Sequence, residues 1–322
     1  MFRPLKLLLL VICFLPAVLF AQQKITNPII PGYFADPTII KENGIFYIYA
    51  TIDPWGGEEL GVFETKDFVH FSQKHLNWPT KKAYTSPTSQ DSKVWAPSVV
   101  KGKDGKFYMF VSVGSEVWAG EANHPLGPWK NSKPDNTPLV TYNDFKELNI
   151  HNIDADAFID DDGTAYLYWG SGFHWINGHC MAAKLTKDMN AFEGTPVEVT
   201  PPHYFEAPHM IKRNGTYYLM FSEGKAIDST YKIGYATGKT PFDPFTEGIN
   251  SPILKTIPGT PVIGPGHHTV FSQNGQDYIL YYRIFPQQKD YVLRQLCVDS
   301  LNFDEKGNIL PVIPKGITSF GK

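Results

Sequence analysis

Short runs of apolar residues along the chain are broken at near-regular intervals by Asn-Gly or Asp-Gly. The same pattern recurs five times: Asn43-Gly44-Ile45-Phe46-Tyr47, Asp104-Gly105-Lys106-Phe107-Tyr108, Asp162-Gly163-Thr164-Ala165-Tyr166, Asn214-Gly215-Thr216-Tyr217-Tyr218 and Asn274-Gly275-Gln276-Asp277-Tyr278. Each places a tyrosine three residues after its glycine. A strand-like stretch also precedes each turn: Pro37 to Ile40, Pro97 to Val100, Ala157 to Ile159, His209 to Ile211, and Thr269 to Phe271. Asn-Gly and Asp-Gly favour type I′ turns, which need positive φ at both central positions, so five β-hairpins are predicted. The turn glycines lie 61, 58, 52 and 60 residues apart, room for one four-stranded sheet and its loops per repeat. Sheets repeated at that period predict an all-β fold, a single five-bladed β-propeller. A pair of immunoglobulin-like sandwiches is also rich in turns, but does not predict five equal units.

Composition suits this reading. Aromatic residues make up 14% of the chain, with 27 Gly and 26 Pro, which favours short strands and tight turns over long helices. The formal charge of −3, with acids and bases interspersed, leaves no basic stripe for nucleic acid. At the start, Met1 to Lys6, the apolar run Leu7 to Phe20 and Ala21-Gln22-Gln23 have the three parts of a secretory signal. The run is shorter than the ~20 residues of a membrane anchor. Expected boundaries are a signal at 1–21 and the propeller at 22–322, exported to the periplasm or secreted, with no membrane insertion after cleavage. Cys13 leaves with the signal, and Cys180 and Cys297 have no Cys or His at metal-site spacing. Whether those two pair is open from sequence.

The innermost strands of a propeller begin near its axis, so the starts of the five repeats should converge. Eight to ten residues before the turn glycines stand Asp36, Trp95, Asp154, Glu206 and His267. A single strand-start Asp is ordinarily a backbone cap. Three converging carboxylates are a different matter, because buried acids are rare without pairing or function. Two carboxyl groups across a pocket with an aromatic wall are the minimum for breaking a glycosidic bond. A third beside the acid would hold it protonated by like-charge repulsion.

Phe34-Ala35-Asp36-Pro37, Trp95-Ala96-Pro97, Ile153-Asp154-Ala155 followed by Asp160-Asp161-Asp162-Gly163, Phe205-Glu206-Ala207-Pro208-His209, and Gly266-His267 together resemble the motifs of glycoside hydrolase family 43. They span nearly the whole mature chain in order. The resemblance implies Asp36 as general base, Glu206 as general acid and Asp154 as the residue that tunes and orients the acid. It further implies hydrolysis with inversion, and a terminal pentose as substrate, α-L-arabinofuranose first and β-D-xylose second. No cofactor is required, with a structural calcium ion reached through water from His267 as an option. Trp95, His267 and Arg283 are the candidate substrate-binding residues, and a plant-type poly- or oligosaccharide is the partner. Endo-acting arabinanase or xylanase action, and a non-catalytic sugar-binding propeller, are the alternatives. The nucleophile segment Trp-x-Asn-Asp-Pro-x-Gly of related five-bladed fructosidases does not occur.

Other features read as structural. Asp160 to Asp162 lack the alternating acids of an EF-hand loop and predict a solvated turn. For Trp95, sugar stacking and core packing are equally favoured. Trp55, Trp118, Trp169, Phe173, His174 and Trp175 fall in or near inter-strand loops that shape a pocket rim or pack beneath it. The stretches Ile52 to Leu60, Pro79 to Ser92 and Gly114 to Ile150 are placed to decide exo from endo action.

Overall fold

The computed structural model describes residues 25–79, 93–286 and 291–317. The signal at 1–21 and nearly all of the stretch from Pro79 to Ser92 lie outside the described residues. Five small antiparallel sheets follow one another along the chain as the blades of a five-bladed β-propeller. Blade 1 holds β1 (Phe34–Glu42), β2 (Ile45–Ile52), β3 (Gly61–Thr65) and β4 (Phe71–Lys74); blade 2 holds β5 (Val94–Lys101), β6 (Phe107–Val113), β7 (Glu116–Ala122) and β8 (Lys130–Asn131). After β9 (Ile150–His151), blade 3 is built from β10 (Asp156–Ile159), β11 (Ala165–Trp169), β13 (Met181–Leu185) and β14 (Phe192–Glu198). Between β11 and β13, β12 (Ser171–Gly172) pairs with β9 as a separate two-stranded sheet. Blade 4 holds β15 (Glu206–Arg213), β16 (Thr216–Glu223), β17 (Lys232–Gly238) and β18 (Thr246–Glu247); blade 5 has three strands, β19 (Gly266–Gln273), β20 (Gln276–Ile284) and β21 (Arg294–Leu301).

The outer edge of β21 is covered from the start of the described chain. Ile29 N donates to Leu296 O, and the Asn27 side chain bonds both the N–H and C=O of Val298, so residues 25–29 close the ring. Covering this edge removes a row of unpaired backbone groups.

The repeat tyrosines explain the spacing of the sequence pattern. Tyr47, Tyr108, Tyr166, Tyr218 and Tyr278 each join the apolar cluster between their own blade and the next, around the ring from blade 1 back to blade 1. Cys180 and Cys297 are buried free thiols in two different clusters, between blades 3 and 4 and between blades 4 and 5. Three of the five turns have the expected positive φ at both central residues: Asn43-Gly44, Asn214-Gly215 and Asn274-Gly275. The two Asp-Gly turns differ. Only Gly105 and Gly163 have positive φ, while Asp104 and Asp162 use their carboxylates to accept the N–H of Lys106 and Thr164. Asn tolerates the left-handed region, whereas Asp here forms the side-chain turn that replaces it.

Polar side chains near the axis stitch each blade to its successor. Thr51 Oγ1, Ser112 Oγ and Ser222 Oγ, at the end of a second strand, accept the N–H of Ala96, Asp154 and His267 at the start of the next blade. One layer further along, Thr38, Ser98, Asp156 and His209 accept backbone N–H groups of Val99, Ala157, Met210 and Val270. Asp160 is also tied across blades, to Lys212 and to the Tyr217 hydroxyl, rather than forming a merely solvated turn.

Candidate active site

A bulge near the start of the innermost strand points side chains toward the axis. Ladder register shifts between Ala35 and Thr38, Trp95 and Ser98, Glu206 and His209, and Gly266 and Thr269. The bulged residues are Asp36 (φ 49°), Ala96 (45°), Ala207 (54°) and His267 (38°), with Asp154 (58°) at the matching place in blade 3. Left-handed non-glycine backbone costs of order 1–3 kcal/mol and persists where the surroundings enforce it. At Ala96, Asp154 and His267 the inter-blade bonds from Thr51, Ser112 and Ser222 do so.

This register corrects one sequence expectation. Asp36, Asp154 and His267 share the bulge position, but Trp95 and Glu206 sit one residue earlier, aligned with Ala35 and Gly266. Both positions still open on the axis. Asp36, Trp95, Asp154, Glu206 and His267 all line one cavity of about 390 Å³, together with Trp55, His151, Phe173, His174, Trp175 and Arg294. Trp118 and Trp169, by contrast, are fully buried core. Trp95 anchors its indole N–H on Gly114 O and leaves its ring in the pocket wall.

Arg283 is not in this cavity. It follows Tyr282 on β20, and alternation turns it to the other face, where it lines a separate recess with Thr26 and Lys315. The arginine of the site is Arg294, at the start of β21, which no repeat or motif marked in the sequence. Its guanidinium donates to both Asp53 oxygens (2.7 Å at the closest) and to Asp36 Oδ1 (3.0 Å), and it lies 4.9 Å from the Trp55 ring centroid and 4.8 Å from that of Tyr282.

His267 completes the charge pattern. Its Nδ1 is 3.1 Å from Asp36 Oδ1 and 3.7 Å from Asp154 Oδ2. Burial favours the neutral ring, but Asp36 and Asp154 outweigh it and hold the imidazole protonated, up to about 9. Among the described residues no group of three or more His, Cys, Asp or Glu is arranged to hold a metal ion by itself. His268 takes the place of Pro37, Pro97, Ala155 and Pro208 in the other blades. It is buried edge-on to His209, and neither ring nitrogen has a hydrogen-bond partner among the described residues.

The three carboxyl groups are tuned in opposite directions. Burial pushes Asp36 up, but Arg294 and then His267 overcome it, so its carboxyl stays ionised far below the usual range. Thr51 Oγ1 donates a further bond at 2.7 Å. Burial also pushes Glu206 up, and hydrogen bonds from Tyr231 and Ser171, each 2.8 Å, only partly offset it. For Asp154 burial dominates again; attraction to His267 is opposed by repulsion from Glu206 and Asp36, and the result is upward. Charge counting gives the reason. Arg294 and His267 are balanced by Asp53 and Asp36, which leaves no cation for two more buried carboxylates, so Asp154 and Glu206 share a tendency to hold a proton.

One pocket thus contains a carboxylate held ionised and a second carboxyl pushed toward its protonated form, under an aromatic wall on a five-bladed frame. That combination defines a propeller glycoside hydrolase. The chain belongs to the glycosyl hydrolases family 43, whose family model matches residues 25–309. It is 34% identical to a β-D-galactofuranosidase of Aspergillus niger over 91% of this chain and 86% of that protein. It is 29% identical to an arabinoxylan arabinofuranohydrolase of Bacillus subtilis over 80% of this chain and 57% of that longer protein. The crystal structure of a thermostable family-43 glycoside hydrolase superposes with a TM-score of 0.71 at 26% identity, covering 91% of this chain and 96% of that one.

Proposed function

We propose that the protein releases a terminal furanose from a plant-type glycan with inversion, α-L-arabinofuranose first. The observation that carries this reading is the opposed tuning of Asp36 and Glu206. Asp36 takes a proton from water as the water oxygen attacks the anomeric carbon. Glu206 gives its proton to the departing glycosidic oxygen as the C–O bond breaks. Burial and repulsion from Asp36 hold Glu206 toward its acid form, and Asp154 tunes and orients that acid. Trp95 and Trp55 supply apolar faces for the C–H side of the sugar ring. The leader at 1–21 would deliver this action outside the cytoplasm.

A second reading is β-D-galactofuranoside hydrolysis, favoured by the 34% identity to an enzyme of that name. The two sugars have the same ring stereochemistry and differ in the exocyclic arm, a one-carbon alcohol in arabinofuranose and a two-carbon glycol in galactofuranose. NMR of the first product from aryl α-L-arabinofuranoside, β-D-galactofuranoside and β-D-xylopyranoside tests both. The expected result is β-L-arabinose as the first anomer formed. A retained anomer overturns the mechanism, and no release from any of the three overturns the activity.

The tuning of Glu206 gives a pH prediction. Tyr231 donates to Glu206 and so favours its ionised form. Tyr231→Phe removes that donor, which raises the Glu206 pKa and should move the alkaline limb of kcat/KM upward by about one pH unit, the acid limb staying in place. An alkaline limb that stays fixed, or moves down, assigns it to another group.

A further inference from the structure

We propose that His151 is a specificity-determining residue that hydrogen-bonds a hydroxyl of the sugar held beside Glu206. The inference deepens the furanosidase reading above and rests on it. His151 and Ser171 are direct partners across the β9/β12 ladder. Paired residues of an antiparallel ladder project to the same face, with Cβ atoms about 4.5–5.5 Å apart. Ser171 bonds Glu206 Oε2 from that face, so the imidazole is delivered next to the proposed acid, and both residues line the pocket.

The ring is fixed without using its polar atoms. Phe173 stacks on it with centroids 4.6 Å apart and planes 21° from parallel, and the Trp95 ring lies 6.1 Å away on a tilt. Neither ring nitrogen has a hydrogen-bond partner among the described residues. Burial pushes the imidazole down to about 4 with no opposing charge, so over the working range it is neutral. A neutral imidazole offers one donor and one acceptor, which suits a hydroxyl, itself both donor and acceptor. A residue needed only as wall would be served as well by a third aromatic ring, because the ring neighbours of the imidazole are Phe173 and Trp95. A stacked ring also loses little rotamer freedom on binding, so the bond forms at small entropic cost.

His151→Phe keeps the stack and deletes the hydrogen bonds; His151→Gln keeps a donor and an acceptor. Both are measured on an aryl α-L-arabinofuranoside and on its 2-, 3- and 5-deoxy analogues. His151→Phe should lower kcat/KM on the parent by about 10- to 100-fold, carried largely by KM, with partial recovery in His151→Gln. On one deoxy analogue, the one missing the partner hydroxyl, the wild type and His151→Phe should agree within about 3-fold. An equal loss on all four compounds, or no loss on any, overturns the proposal. Binding of the corresponding methyl α-L-arabinofuranosides to Glu206→Gln and its His151→Phe double variant, read from tryptophan fluorescence, makes the same comparison without turnover. Failure of the wild type to cleave any arabinoside therefore sinks the proposed function, while the binding comparison still decides His151.

Discussion

Asp36→Ala should lose activity on every substrate, by about 10³- to 10⁴-fold in kcat, whatever the leaving group. Activation of water is needed however readily the glycosidic bond breaks, and the pocket holds no second carboxyl with the right charge. Asp154 and Glu206 are both pushed upward, chiefly by burial, the opposite direction from Asp36. Glu206→Ala should behave differently. On a natural oligosaccharide its loss should approach that of Asp36→Ala, because a sugar alkoxide leaves poorly without a proton. On an aryl glycoside with an acidic phenol, the loss should shrink to about 10-fold, since protonation contributes little there. The alkaline limb of the pH profile should vanish with the acid in Glu206→Ala. Parallel measurements on one aryl and one natural substrate check this; near-wild-type activity in both variants, or equal leaving-group dependence, removes the assignment.

The part of this site legible in the sequence was the part the repeat encodes. Five turn glycines, each followed at the same distance by a tyrosine, mark the hairpins because those tyrosines fill the five spaces between blades. Counting back from the glycines found three acids that line one cavity. It could not see the bulge, a one-residue insertion in the ladder, and so merged two adjacent positions, placing Trp95 and Glu206 level with Asp36. Arg294 left no trace for a different reason. Its role depends on Asp53 in blade 1, 241 residues away, across the seam that closes the ring. Blade 5 has no repeat partner for that arginine, and Arg283, next to a tyrosine pair on β20, lines a separate recess. His151 escaped because β9 and β12 belong to no blade; they are an addition to blade 3 that shapes the pocket wall.

Arg294→Ala should cost both stability and activity, and the pH dependence of each follows from the same charges. Arg294 is 2% exposed and serves two buried carboxylates. Its removal strands Asp53 and Asp36 without a guanidinium, and breaking a buried pair in this way costs about 3–5 kcal/mol. Asp36 has a folded-state pKa below its unfolded value, so its stabilising contribution is present above the unfolded value, near 3.8, and fades as pH falls through the lower folded one. Without Arg294 the Asp36 pKa rises and that contribution shrinks. Unfolding by urea should therefore show the largest deficit at neutral pH and a narrowing gap as Asp36 protonates in acid. In activity the acid limb of kcat/KM should move up, because the base now protonates at higher pH. Arg294→Lys separates charge from geometry: it keeps one cation but loses the fork that reaches both carboxylates and the flat face against Trp55 and Tyr282. It should fold more stably than Arg294→Ala, hold the acid limb closer to wild type and still fall about 10- to 100-fold in kcat/KM. An acid limb unmoved in Arg294→Ala would show that Asp36 owes its ionisation to His267 rather than to Arg294.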